Sequence, residues 1–414
     1  MFRVLVLILF SLPSAAQVAF INGVWFDGSG FSPKTGYAVD GHLTFHNPSH
    51  IDSTVDLAGA YVIPPFGEAH NHNVEPLSKM DILVQKYLRH GIYYVKNPDC
   101  LPGAREQVAD KINSPTSIDV VFSNGGFTGT GGHPVEFVER NIQRGIWTAA
   151  EGEGKFYYQV DTSQALDQKW PRFLTTKPDF VKTYLLYSQD YAARKDAQEF
   201  FGWKGLSPEV LTAIVRKAHS AGLRVSTHIE TAADFHNALA AGVDEINHMP
   251  GFRIGTDVRP HPDAAFEISD ADAERAAKQG AYVVTTLGGA RAIDPAGANA
   301  AQRRTQDEVN IRNLRRLAAH HVRLAVGSDD YRNDALPEAL YLSGLHALDN
   351  RALLVAWCDT TAQTIFPKRK IGRLQEGYEA SFLGLEGDPL KDFSKVTRIK
   401  FRVKQGHVLQ ISGE

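Results

Sequence analysis

Two cysteines in a chain of 414 residues cannot staple a fold, so its stability has to come from burial. No stretch approaches the roughly 18 consecutive apolar residues of a membrane-spanning helix. An excess of one charge is missing as well. Lys and Arg number 44 against 47 Asp and Glu, a net charge of −3, which leaves no basic field to recruit nucleic acid or an anionic membrane. Internal repeats and low-complexity tracts are absent, which argues against solenoids, propellers and disordered linkers. What is present is 43% hydrophobic residues with 35 Gly and 20 Pro, a composition that supports a large core interrupted by turns. The length allows about two or three domains, or one large barrel with an appendage. None of this explains the 16 His.

Arg3 precedes an apolar run from Val4 to Phe10, followed by Ser11-Leu12-Pro13-Ser14-Ala15-Ala16. A basic start, a short apolar core and small residues at Ser14 and Ala16 describe a secretory signal peptide over 1–16, cleaved near Ala16. The expected address is periplasmic or extracellular, with no membrane association after cleavage. Cys100 and Cys358 are far apart in sequence, and two buried free thiols are the default expectation.

From residue 62 onward short β-rich runs alternate with helical stretches. The runs are Val62-Ile63, Ile92–Val95, Ile118–Phe122, Phe180–Tyr184, Leu223–Thr227, Asp244–Asn247, Ala281–Val284 and Val322–Val326. Amphipathic stretches such as Pro208–Ala221 and Ala232–Ala241 lie between them, closed by Gly222 and Gly242. Eight such strands with helical crossovers predict an α/β fold, a (β/α)8 TIM barrel over 62–365. Residues 17–61 and 366–414 carry short strands and turn signals, and together predict a small β-sandwich domain built from both chain ends. Gly125 to Pro178 is too long for one connection and is expected to form loops over the barrel mouth. Its Gly-rich part, 125–132, lacks the Lys-Ser/Thr ending of a phosphate loop and reads as a flexible mouth loop.

Functional side chains of such a barrel sit at the C-terminal ends of the strands. Taken in order, those ends carry His70 and His72, Lys182, His228, His248 and Asp329. In an extended segment His70-Asn71-His72 puts both imidazoles on one face. Imidazoles with a carboxylate suit a divalent transition metal, zinc foremost. A Lys among them fits if its neutral amine has reacted with carbon dioxide to give a carbamate that bridges two metals. An unmodified Lys182 ammonium paired with Asp329 over a mononuclear site stays open.

Several motifs, in this order and spacing, resemble the amidohydrolase superfamily, in particular its imidazolonepropionase-like and prolidase-like branch. They are the run Phe20–Gly28, Thr227-His228-Ile229-Glu230, Ala240–His248, Gly327-Ser328-Asp329 and the closing Ile371–Ser381. The resemblance implies a binuclear centre, with His70, His72 and Asp329 on one metal, His228 and His248 on the other, and Lys182 as the carbamylated bridge. It also implies a bridging hydroxide that attacks a polarised carbonyl, with Asp329 as the catalytic acid and base. His133, after Gly131-Gly132, and Tyr184, two residues beyond Lys182, are implied or inferred substrate contacts. The chain departs from the family in having Glu68 where Asp is usual, Ala380-Ser381-Phe382-Leu383 near the end, and no Gly-Gly pair after Lys182.

The expected function is a secreted metal-dependent amidohydrolase acting on a small-molecule substrate such as a dipeptide, N-acyl amino acid or cyclic amide. A lactone or phosphotriester hydrolase on the same centre, or a non-catalytic metal-binding protein, are the alternatives. Nothing in the sequence sets the oligomeric state, and a homo-oligomer stays open.

Overall fold

The computed structural model describes residues 17–75, 79–254, 257–288 and 300–411. The expected signal peptide lies outside them. The first strands are β1 (Val18–Phe26), β2 (Phe31–Val39), β3 (His42–Thr44), β4 (Ser53–Asp56) and β5 (Tyr61–Ile63). Next come β6 (Phe66–Glu68), β7 (Ile92–Asn97), β8 (Asp119–Phe122), β9 (Gly126–Thr128), β10 (Tyr157–Gln159), β11 (Val181–Tyr184), β12 (Val225–His228), β13 (Glu245–Asn247), β14 (Tyr282–Val284) and β15 (Arg323–Ala325). The chain closes with β16 (Phe382–Leu385), β17 (Ile399–Lys404) and β18 (His407–Val408).

Strands from both ends form one eight-stranded sheet in the order β18-β17-β16-β5-β1-β2-β3, with β4 on β1. Strands of the two termini thus share one hydrogen-bonded sheet. Trp25 anchors it, packing its ring against Phe45 and Phe382. Val62 and Ile63 are a correction to the sequence reading. They belong to this sheet, because β5 pairs with β1 and β16, and the parallel strands begin only at Phe66.

The remaining strands are parallel, in two sheets ordered β6-β7-β8 and β10-β9-β11-β12-β13-β14-β15. Their interiors are continuously buried, as expected for strands covered by crossover helices on one side and a core on the other. Backbone hydrogen bonds also cross between the two sheets. Ala69 N donates to Val326 O at 2.9 Å and Asp329 N to His70 O at 2.7 Å, while Asp179 N reaches Phe122 O at 2.8 Å.

The helices carry their sequence signals openly. Ser207 caps the helix Pro208–Ser220 by accepting from Val210 N, and Pro208 occupies its first turn. Thr231 and Asp234 form a capping box on Ala232–Ala241, which ends at Gly242 with φ 85°. The segment 125–178 is a second correction. It is not loop throughout but holds β9, β10 and the helices Val135–Gln143 and Ser163–Thr175. Nor is its Gly-rich part a loose loop, since β9 inserts beside β11 and a Cβ on Gly126 would lie 2.7 Å from Asp99 Oδ1. No described helix is long and apolar enough to cross a membrane.

Candidate active site

His70, His72, Lys182, His228, His248 and Asp329 all line one cavity of about 300 Å³, joined there by His133 and Tyr184. Each reaches it from the C-terminal end of a parallel strand or the loop just beyond, because all those strands point the same way. The volume suits a small molecule.

The imidazoles are oriented from behind. His70 Nδ1 donates to Asn247 Oδ1 at 2.5 Å and His72 Nδ1 to Pro98 O at 2.8 Å. Both partners only accept, so both rings carry their proton on Nδ1 and present a lone pair at Nε2. Those two Nε2 atoms face each other at 3.2 Å, and Asp329 Oδ1 lies 3.7 Å from the first and 3.2 Å from the second. Three electron-rich atoms turned on one another repel unless a cation lies between them. A tetrahedral zinc with bonds of about 2.1 Å has ligand-to-ligand edges of roughly 3.4 Å, which the three distances bracket. The residues therefore fit a metal.

His248 belongs to the same knot: its ligand atom, that of His70 and that of Asp329 lie within 4.8 Å of one another. Its Nδ1 meets Thr286 Oγ1 at 2.6 Å, and the Phe252 ring stacks on it at 4.3 Å. The His228 ring is 4.4 Å from that of His248. Its Nε2 meets Glu230 Oε1 at 3.1 Å.

Burial pushes His70, His228 and His248 well below the ordinary imidazole range, so each is neutral and able to ligate. Burial likewise lowers Lys182, against the opposing charges of Asp99 and Asp329. Lys182 is 1% exposed. A Lys so placed gives up its proton more easily than a solvated one, which the carbamate chemistry requires. Burial would raise Asp329, but its His72, His70 and Lys182 neighbours hold it well below the usual carboxylate range.

Glu68 is not a ligand but a brace. It accepts from Ser328 N at 2.8 Å, Ser328 Oγ at 2.7 Å and His70 N at 3.2 Å, tying the loop of His70 to the loop of Asp329. Burial pushes its carboxyl up to about 8. Left-handed backbone recurs around the cavity, at Asp99 (φ 48°), His248 (φ 72°), Thr286 (φ 53°) and Asp329 (φ 50°). Strained non-glycine residues collected at strand ends are a mark of a functional site.

Among the residues of the cavity wall that sequence reasoning missed are Asp99, Glu136, Arg253 and Tyr331. Tyr184 Oη donates to Asp99 Oδ2, and His133 Nδ1 pairs with Glu136 Oε1 at 2.5 Å. Arg253 Nη2 donates to Glu230 Oε1, and Tyr331 stacks on His72 at 5.2 Å. Asp99 had a readable signal, since it follows the end of β7 as the ligands follow theirs.

The class is defined first by fold. The chain superposes on A. niger ochratoxinase with a TM-score of 0.72 at 16% identity, covering 97% of each chain. It superposes on molinate hydrolase with a TM-score of 0.72 at 16% identity, over 97% of this chain and 96% of that one. A Xaa-Pro dipeptidase with methionine bound in its active site gives 0.70 at 16% identity, over 95% and 100%. The chain thus shares its fold with these proteins and with a further structure described as an amidohydrolase. No protein-family model matches it, and no curated protein matches it.

Proposed function

We propose that this chain is a metal-dependent amidohydrolase that cleaves a C–N bond in a small substrate such as a dipeptide, an N-acyl amino acid or a cyclic amide. One observation carries the reading: His70 and His72 turn lone pairs, not protons, toward Asp329 in a buried cavity at the strand ends. The hydrolases among the fold neighbours support the choice of bond. The proposal includes closure of the parallel strands into an eight-stranded barrel, with β8 and β9 as two parts of one bent strand. The hydrogen bonds Ala69 to Val326 and Asp179 to Phe122 support both seams.

His70, His72 and Asp329 would hold one ion and His228 and His248 a second, with Lys182 between them as a carbamate. Bound divalent metal, zinc foremost, supplies polarisation of the substrate carbonyl and acidification of water. Asp329, ionised in the cavity, accepts the proton of the attacking water and returns it to the leaving nitrogen. His133 and Tyr184 face the space the substrate would fill. The basic, apolar and small residues of 1–16 support export of the protein.

Elemental analysis of the purified protein should find about two transition-metal equivalents per chain, and chelation should abolish hydrolysis that added zinc restores. Asp329→Asn should lower kcat by at least about a hundredfold on the best amide of a dipeptide and N-acyl amino acid panel. Undiminished turnover in that variant refutes the acid and base role. Preferred hydrolysis of lactones or phosphotriesters in the same panel refutes the choice of bond.

A further inference from the structure

Behind His70 a line of wholly buried polar groups crosses the interior of the parallel strands. Asn247 Oδ1 receives His70 Nδ1, Asn247 Nδ2 donates to Ser226 Oγ, and Ser226 Oγ donates to Glu245 Oε1 at 2.8 Å. Lys96 Nζ then donates to Glu245 Oε2 at 2.5 Å, where Thr364 Oγ1 also donates. Register brings them together: β12 pairs with β13 so that Ser226 stands beside Glu245 and His228 beside Asn247. None of the six is more than 3% exposed.

The order of donors along this line is not free. A carboxylate only accepts, and the Lys96 ammonium beside it keeps Glu245 a carboxylate. Ser226 must therefore spend its one proton on Glu245, which leaves its oxygen to accept from Asn247. Asn247 must then turn its amide NH2 toward Ser226 and its carbonyl toward His70. His70 is left with its proton on Nδ1 and its lone pair on Nε2, the atom that faces His72 and Asp329.

From this we infer that Glu245, held by Lys96, is a remote positioning residue that sets the tautomer of His70 through Ser226 and Asn247. The role rests on the proposed metal centre only in taking His70 as a ligand. The tautomer itself is a property of the unloaded protein. Without the carboxylate the line loses its direction: Ser226 can donate to Asn247, the amide can reverse, and the His70 proton moves to Nε2, where it blocks ligation. Outer partners of metal-bound His act in this way, and losing one typically costs about 10–100-fold in metal affinity.

The test compares Glu245→Gln, Ser226→Ala and Asn247→Asp with the parent chain. Nitrogen NMR of the imidazoles in the unloaded protein should find His70 as the Nδ1–H tautomer in the parent and in Asn247→Asp, whose carboxylate can only accept. It should find a mixture or the Nε2–H form in Glu245→Gln and in Ser226→Ala. Zinc affinity, by competition with a chromogenic chelator, should fall about 10–100-fold in those two and hold in Asn247→Asp. If Glu245→Gln does not fold, Ser226→Ala decides alone. An unchanged tautomer with zinc affinity within about twofold of the parent overturns the inference. A parent chain that binds no metal overturns the proposed function instead, and the NMR result still decides the relay.

Discussion

Glu338 lies wholly buried in the helix Ala335–Gly344, directly behind the loop that holds His248 from below. It accepts from Thr285 Oγ1 at 2.6 Å, from Leu287 N at 2.9 Å and from Gly288 N. Burial outweighs those three donors and pushes its carboxyl from 4.5 up to about 7. A carboxyl raised in the folded state adds stability that is fully present below the unfolded value and is lost as pH rises through the folded one. The window here runs from about pH 4.5 to about pH 7, and the amount is about 3 kcal/mol. Glu338→Gln cannot titrate, so its stability across that window should decline less than the parent's by about that amount. Urea midpoints taken along the pH series check this, and parallel curves for the two proteins refute it.

At the scale of elements, the site depends on how closely the loop after β15 approaches the loop after β6. A Cβ on Gly327 would lie 2.8 Å from His70 N and 2.9 Å from His70 Cβ, so only glycine admits this approach. Gly327→Ala should push the two loops apart, weaken the Glu68 clamp on Ser328 and His70, and cost about 1–3 kcal/mol. Metal affinity should fall with it, because His70 and Asp329 ride on the two loops. Thermal unfolding and chelator competition measure the two effects, and a variant that loses stability but binds zinc like the parent refutes the link.

This same geometry explains what was legible in the sequence. Strand-end position and residue type suffice for His70, His72, Lys182, His228, His248 and Asp329, because parallel strands deliver their ends to one place. Asn247, Ser226 and Glu245 were invisible as a group. They look like ordinary strand residues, and only the pairing register of β12 with β13 turns them into a line. Val62 and Ile63 misled for a related reason. A short apolar run says that a strand is buried but not which sheet buries it.

At the scale of the whole molecule, the sheet of the two termini and the parallel strands are joined by buried charge. Lys404, the last residue of β17, has a fully buried side chain that donates to Asp119 Oδ1 at 2.7 Å, Ser117 O at 2.6 Å and Ser114 O at 2.7 Å. Asp119 opens β8, and its other oxygen lies 2.8 Å from Arg369, which also pairs with Glu379. Arg402, two residues before Lys404, donates to Leu88 O and Arg89 O at the end of the helix Met80–Arg89. Breaking this junction strands charges that neither sheet can solvate alone, so the two should unfold together. Loss of metal binding, which reports on the parallel strands, and the fluorescence change of Trp25 in the terminal sheet, isolated by comparison with Trp25→Phe, should coincide along one denaturant curve. Lys404→Ala leaves two carbonyls and one carboxylate oxygen buried without their ammonium, at a cost of roughly 3–5 kcal/mol. Its effect should shift both probes by the same amount of denaturant. If instead the fluorescence change splits from the loss of metal binding, the terminal sheet is an independent unit, and the Lys404–Asp119 pair is a contact between domains rather than part of a shared core.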